Sequence, residues 1–196
     1  WMENADKVDL IRAWGQFEGP RVLRVGEELI EGKHIYINTG THPFVPPIEG
    51  IEAVPWMDSA KLMDLESLPE HLLIIGGGYI GVELGQVYRR LGARVSIIQG
   101  GAQLMPREDA DVAGALTAIL QQEGITVYCE ARAEKVWQEN GEIQVVVKEN
   151  GKKKVLKGSH LLIAAGRRPN SGDIGLEKAG IATDERGFIQ VDDHCR

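Results

Sequence analysis

Only two cysteines occur in 196 residues, Cys129 and Cys195, and they form no Cys-x-x-Cys or longer paired motif. That usage excludes a disulfide-stapled scaffold and suits a reducing compartment, most simply the cytoplasm. No apolar run approaches the roughly 18 residues of a membrane span, and no signal peptide is visible. Positive charge is scarce: 22 Lys and Arg against 29 Asp and Glu leave a formal net charge of −7. The largest basic cluster is Lys152-Lys153-Lys154. A nucleic-acid surface needs a broader basic field, so the three lysines read as a solvated turn between strands. No metal-ligand spacing appears either.

What is present has the balance of a globular chain, with 43% hydrophobic and 26% charged residues. The length allows one domain, or one domain and part of another. The chain opens on Trp1-Met2 and stops at Cys195-Arg196, as though cut from something longer.

Leu72-Leu73-Ile74-Ile75 is a short apolar run ending in three glycines, the pattern of a buried parallel strand. Ile80, Leu84, Val87 and Leu91 follow at helical spacing, with Gly92 as a C-terminal stop. Val95 to Ile98 gives a second strand. A second helix, capped by Asp109 or Asp111, carries Val112, Leu116, Ile119 and Leu120 on one face. Ile125 to Tyr128 supplies a third strand, with Cys129 at its end read as a core thiol. Strand, helix, strand, helix, strand is half of a doubly wound sheet.

Asn140-Gly141 and Asn150-Gly151 then separate β-rich runs, and Asn-Gly is the preferred two-residue hairpin turn. Val136-Trp137, Ile143 to Val147 and Val155-Leu156 therefore predict a three-stranded antiparallel meander in place of the next crossover helix. Leu161 to Ala164 returns as a parallel strand. The first 50 residues replay this second half in compressed form. Val8 to Ile11 is a strand, Gly19-Pro20 and Gly26-Glu27 are meander turns, and His34 to Ile37 is a second strand. Thr39-Gly40-Thr41-His42-Pro43 echoes Ala165-Gly166-Arg167-Arg168-Pro169. The expected fold class is thus α/β: a Rossmann-like dinucleotide domain with a parallel sheet and a meander crossover, plus the back half of a second, similar domain. Residues 1–54 form that partial domain, 55–67 a connection, 68–186 the dinucleotide domain, and 187–196 a return to the first.

Gly76-Gly77-Gly78-Tyr79-Ile80-Gly81 is a G-x-G-x-x-G placed between a predicted strand and a predicted helix, the context that gives it meaning. Gly76 permits the tight turn, Gly78 lets a pyrophosphate approach, and Gly81 lets helix and strand pack closely. A strand–helix turn that merely needs glycine is the alternative. Gln99 closes the second strand, where a dinucleotide's adenosine ribose is read. It can bond to the hydroxyls without carrying charge. Gly100, Gly101 and Ala102 follow, and the first cation is Arg107, which tilts the balance slightly towards NADH over NADPH.

The string LLIIGGGYIGVELGQVYRRLGARVSIIQ (72–99), LIAAGRRPN (162–170) and YINTGTHPFVPPIEG (36–50) together resemble the pyridine nucleotide-disulfide oxidoreductase family. Dihydrolipoamide dehydrogenases and mercuric reductases are the members they look most like, the PRED string from Pro106 to Asp109 included. The resemblance implies that the glycine loop holds NAD(P)H and that electrons pass through FAD to a redox-active disulfide and on to substrate. It further implies that Tyr79 lies over the flavin and moves when nicotinamide enters, and that Glu83 sits near the carboxamide. Without the resemblance, Tyr79 is equally a buried helix-start aromatic and Glu83 a solvated carboxylate. By the same resemblance Gly166 approaches the nicotinamide side, Ala133 the adenine edge, and Thr39-Gly40 runs past FAD.

Ala165 stands where the family usually has Thr, and the family's FAD loop, cysteine pair, later flavin motif and dimerisation domain find no match. The resemblance therefore implies a homodimeric parent enzyme and an inert fragment with no catalytic residue of its own. His34, His42, His71, His160 and His194 match no catalytic histidine and read as surface or packing residues. A stand-alone module that binds or senses NAD(H) is the alternative function, with a dinucleotide as partner and neither nucleic acid nor membrane.

Overall fold

In the middle of the chain short apolar runs become parallel strands, and Asn-Gly pairs become hairpin turns. The computed structural model describes residue 3 and residues 6–195. They divide into two compact units: a middle unit, Pro43–Gly166, and an outer unit made of the chain up to His42 and from Arg167 onward. In chain order the strands are β1 (Gly15–Gly19), β2 (Val22–Val25), β3 (Glu28–Glu31), β4 (Thr41–Pro43), β5 (Trp56–Met57), β6 (His71–Ile75), β7 (Arg94–Ile98), β8 (Thr126–Tyr128), β9 (Ala131–Glu139), β10 (Glu142–Glu149), β11 (Lys152–Gly158), β12 (His160–Ile163) and β13 (Arg167–Pro169). The helices are α1 (Ser59–Met63), α2 (Tyr79–Leu91) and α3 (Ala110–Gln122).

The middle unit is a five-stranded parallel sheet in the order β5-β12-β6-β7-β8. Strand side chains alternate between faces, and both faces are apolar. Leu72 and Ile74 pack with Val82, Tyr88 and Leu120 on the helical side. Leu73 and Ile75 pack with Val136, Ile143 and Val145 of the meander β9-β10-β11. The meander's two turns have positive φ at both central residues: 53° and 84° at Asn140-Gly141, 49° and 77° at Asn150-Gly151. That is the hairpin geometry whose twist matches the flanking strands. The expected α/β architecture is what the chain adopts.

Several local expectations need correction. In α2 the buried residues are Gly81, Val82, Gly85 and Tyr88, while Val87 and Leu91 face solvent. Glycines at 81 and 85 bring the helix backbone close to the sheet: a methyl on Gly85 would lie 3.1 Å from Ile74 Cδ1 and 3.2 Å from Ile97 Cδ1. Close approach outweighs the larger apolar stripe. In α3 Leu120 is buried but Val112 and Ile119 are exposed, and the Asp109 cap residue makes no side-chain cap bond. Lys152, Lys153 and Lys154 open β11 rather than forming a turn, because Asn150-Gly151 already completes the reversal. Cys129 lies one residue beyond β8. Trp56-Met57, read as part of a connection, pairs with Leu161-Leu162 as an edge strand.

The outer unit holds the shorter antiparallel meander β1-β2-β3 and the pair β4–β13. Phe17 is buried against Ile174 and Leu176, and its N–H donates to Ile174 O at 2.8 Å. The two echoed segments are thus hydrogen-bonded neighbours. Val8 to Ile11 and His34 to Ile37, expected as strands, are neither helix nor strand. No described residue ladders with them, and Val8, Leu10, Ile11 and Tyr36 are exposed. An apolar run becomes a strand only beside another strand.

Candidate nucleotide-binding site

In the middle unit the sheet grows in opposite directions from the junction of β12 and β6. The crevice beyond the carboxyl ends of such a junction is where open α/β sheets bind ligands. Here β6 delivers Gly76-Gly77-Gly78 and β12 delivers Ala164-Ala165-Gly166. Gly76 has φ 115°, and a methyl on it would lie 2.2 Å from Ala164 O. A methyl on Gly81 would lie 2.0 Å from Gly76 O. Those two glycines are required by the fold. Gly78 is different: its φ is −81° and a methyl on it would meet nothing within 4 Å. Gly166 likewise borders open space.

Gly78 is the N-cap of α2 and offers no side-chain cap bond to the helix's first N–H groups. Those donors and the aligned helix dipole make an anion-binding end. The loop is braced from behind by residues 100–109. Met105 N–H donates to Gly77 O at 2.7 Å, and fully buried Leu104 fills the space a Gly77 side chain would need. Tyr79 is half-exposed rather than buried, and its phenol donates to a Glu108 carboxylate oxygen. That bond, the largest cause, raises the phenol's pKa. Glu83, one helical turn on, is exposed on the same side of α2, and Ile80 is half-buried between them. Leu104, Met105 and Glu108 were not recognisable as site residues from sequence. The PRED string was the one signal.

Gln99 lies one residue beyond β7, and its side-chain Oε1 accepts from Gly77 N–H at 3.0 Å. Its backbone carbonyl accepts from Ala131 N–H at 2.9 Å, which ties the start of β9 to the end of β7. Arg132, the next residue of β9, is thereby brought beside the turn that follows β7. A methyl on Gly100 would lie 3.8 Å from Arg132 Cγ and 4.0 Å from its Nε. Arg132 is exposed and has no ion-pair partner among the described residues. Adjacency in sequence could not reveal this cation.

Thr39 and Gly40 belong to the outer unit. Thr39 O accepts from Asn170 Nδ2 at 2.9 Å and Gly40 O from Asn170 N–H at 3.0 Å. Arg167 donates to Thr41 Oγ1 and O, and His42 Nδ1 lies 2.6 Å from Asn170 Oδ1. These bonds shape one wall of a cleft of about 840 Å³, lined by Trp14, Thr39, His42, Arg168, Asn170 and Arg186 among others.

Cys129 lies against the Leu104 backbone behind the glycine loop, and two histidines sit at the opposite ends of their strands. Burial pushes the Cys129 thiol up, the direction opposite to an activated thiolate. His71 Nε2 lies 3.0 Å from Ser96 Oγ and His160 Nδ1 2.9 Å from Ser159 Oγ, at the amino ends of β6 and β12. Among the described residues no three His, Cys, Asp or Glu gather as a metal-ligand set, and no helix is long and apolar enough to cross a membrane.

The profile of the family described as pyridine nucleotide-disulphide oxidoreductase matches residues 1–196. The probable pyridine nucleotide-disulfide oxidoreductase RclA of Escherichia coli (strain K12) is 38% identical over 190 residues, covering 94% of this chain and 42% of its own length. A mercuric reductase of Bacillus cereus is 35% identical over 188 residues, 96% of this chain and 30% of its own. Among solved structures, the HOCl-induced flavoprotein disulfide reductase RclA from Escherichia coli superposes with a TM-score of 0.85 at 37% identity. It covers 97% of this chain, which spans 43% of that protein.

Proposed function

Because the chain belongs to the pyridine nucleotide-disulphide oxidoreductase family, we propose that its middle unit is the NAD(P)H-binding portion of a flavin-dependent oxidoreductase. One observation carries the reading: Gly76 and Gly81 are demanded by backbone packing, whereas Gly78 faces open space at the start of α2. At the start of a helix whose N–H groups are uncapped, a glycine with open space before it leaves a pyrophosphate room to approach the backbone. Gly76, Gly77, Gly78 and the first turn of α2 would hold the pyrophosphate, Gln99 the ribose, and Ala133 the adenine edge. Gly166, Tyr79 and Glu83 would attend the nicotinamide. In the outer unit, the cleft beside Thr39 and Gly40 has the size, and a mostly apolar lining with a few polar groups, to take part of FAD.

The reduced nucleotide supplies a hydride and FAD receives it in the intact parent, for which a disulfide, a metal ion or a quinone-like molecule is the final acceptor. The chain's own contribution is binding and orientation. Taken alone it carries out no disulfide chemistry, since Cys129 and Cys195 form no paired motif and no disulfide. Titration calorimetry of the 196-residue chain with reduced and oxidised nucleotides tests the reading. Gly78→Val should lower the melting temperature by only a few degrees, since the backbone angles suit any residue and valine is a poorer N-cap than glycine. It should weaken binding about tenfold or more by filling the approach to the loop. Unchanged affinity would sink the site.

A further inference from the structure

We propose that Arg132, with the amide of Gln99, selects the 2′-phosphorylated nucleotide, so that this chain binds NADPH in preference to NADH. The inference rests on the nucleotide-binding reading above and deepens it. Gln99 Oε1 accepts from Gly77 N–H, which fixes the amide's orientation and turns its NH2 away from the loop as a donor for a ligand. That NH2 faces the glycine pair: a methyl on Gly101 would lie 3.0 Å from Gln99 Nε2. A donor at this position serves a phosphate well. A carboxylate here would repel one and accept from two hydroxyls instead.

Beside it stands an unpaired cation. Arg132 reaches Gly100 from β9, and its cross-strand neighbour on β10 is Lys148, which makes no close ion pair among the described residues although its charge, after that of Lys153, acts on Glu134. Lys153 continues the row on β11 but is neutralised by Glu134 at 2.6 Å. Two like charges directly opposite one another destabilise a strand pair, and an anion bound between them relieves that repulsion. Gly100 and Gly101 carry no side chain, so the side chains beside this turn are those of Arg132 and Gln99. Arg107, the first cation after Gln99 in sequence, acts instead on the Tyr79 phenol. The one opposing group on this turn is Glu130, whose N–H donates to Gly101 O at 2.8 Å.

Calorimetric titration of the chain with NADPH, NADH, adenosine 2′,5′-bisphosphate and AMP tests the assignment. NADPH should bind about tenfold or more tighter than NADH, the scale of a charge-assisted hydrogen bond. The bisphosphate should exceed AMP by a similar factor. Arg132→Ala should bring both ratios close to one while NADH affinity is kept, and Glu130→Gln should widen them. Higher salt should narrow them. Equal or tighter binding of NADH by the parent chain overturns the proposal, as does a preference that survives in Arg132→Ala. In either case the nucleotide site itself stands. Binding of none of the four overturns the site and the selectivity together.

Discussion

Leu162 and Ile37 each lie in an apolar run that ends in a small residue, a glycine and, three positions later, a proline. Leu162 is wholly buried in the middle unit, flanked by β5 and β6. Ile37, in the outer unit, is half-buried and ladders with no strand among the described residues. The local pattern is the same and the outcome is not. Hydrogen-bonded neighbours on both sides turn the first run into sheet. Without them the second stays extended, packing Ile35 and Ile37 towards Phe17 and leaving Tyr36 91% exposed. Periodicity says which side chains could face a core, and pairing decides whether the backbone becomes a strand.

The comparison breaks most visibly if equal deletions are made in the two units. Leu162→Ala removes a fully buried side chain from a sheet packed on both faces. It should cost about 4–5 kcal/mol, the upper part of the range for such truncations. Ile11→Ala removes a half-exposed side chain from an unpaired segment and should stay within about 0.5 kcal/mol. Urea unfolding of both variants checks the contrast. A comparable loss from Ile11→Ala would show that the outer segment is ordered by contacts of the same strength as the sheet.

A second contrast sharpens the first inside the glycine loop. Gly76→Ala drives a methyl to 2.2 Å from a carbonyl oxygen at φ 115°. Strain and overlap should lower stability by about 3 kcal/mol. Gly78→Ala meets open space at an ordinary φ, and its effect on stability should be within about 0.5 kcal/mol. Thermal melts of the two variants separate a glycine kept for the fold from one kept for a ligand. Equal losses would remove the observation on which the proposed nucleotide site rests.

These contrasts also mark where sequence alone was sufficient. The triple glycine after Ile75 and the two Asn-Gly pairs declare themselves because each turn demands a backbone conformation that few residues supply. The order of strands and helices in the middle unit follows from them. The buried face of α2 did not, since Gly81 and Gly85 add nothing to a hydrophobic pattern yet set the helix–sheet distance. Trp56-Met57 is too short to show alternation and is a strand only because Leu161-Leu162 lies beside it. Arg132 reaches Gly100 through one backbone bond, Ala131 N–H to Gln99 O, a closure that no spacing along the chain encodes. Tertiary closures of this kind place the cation and the Glu108 partner of Tyr79.

The smallest expected effect concerns pH, and it too belongs to the middle unit. Burial, the leading cause in both cases, lowers the pKa of His71 and His160 from the usual 6.5. Arg94 lowers His71 further, against smaller opposing contributions from a hydrogen bond with the Lys157 backbone and from Glu70 and Glu142. In the unfolded chain each imidazole takes up its proton near 6.5, whereas the folded form resists it. Between those points the unfolded state binds more protons, so stability rises with pH. This contribution is complete above 6.5 and lost as pH falls through the depressed folded values. The paired carboxylates Glu123 and Glu134 are lowered from 4.5, chiefly by Arg90 and Lys153. Their loss begins at lower pH, and the histidine window is separate. His71→Gln keeps a polar partner for Ser96 while removing one titration. Unfolding free energies from pH 8 to pH 5 should then decline less steeply in the variant than in the parent chain. Identical slopes would mean that His71 takes up its proton as readily in the sheet as in water, and that its end of β6 is open to solvent.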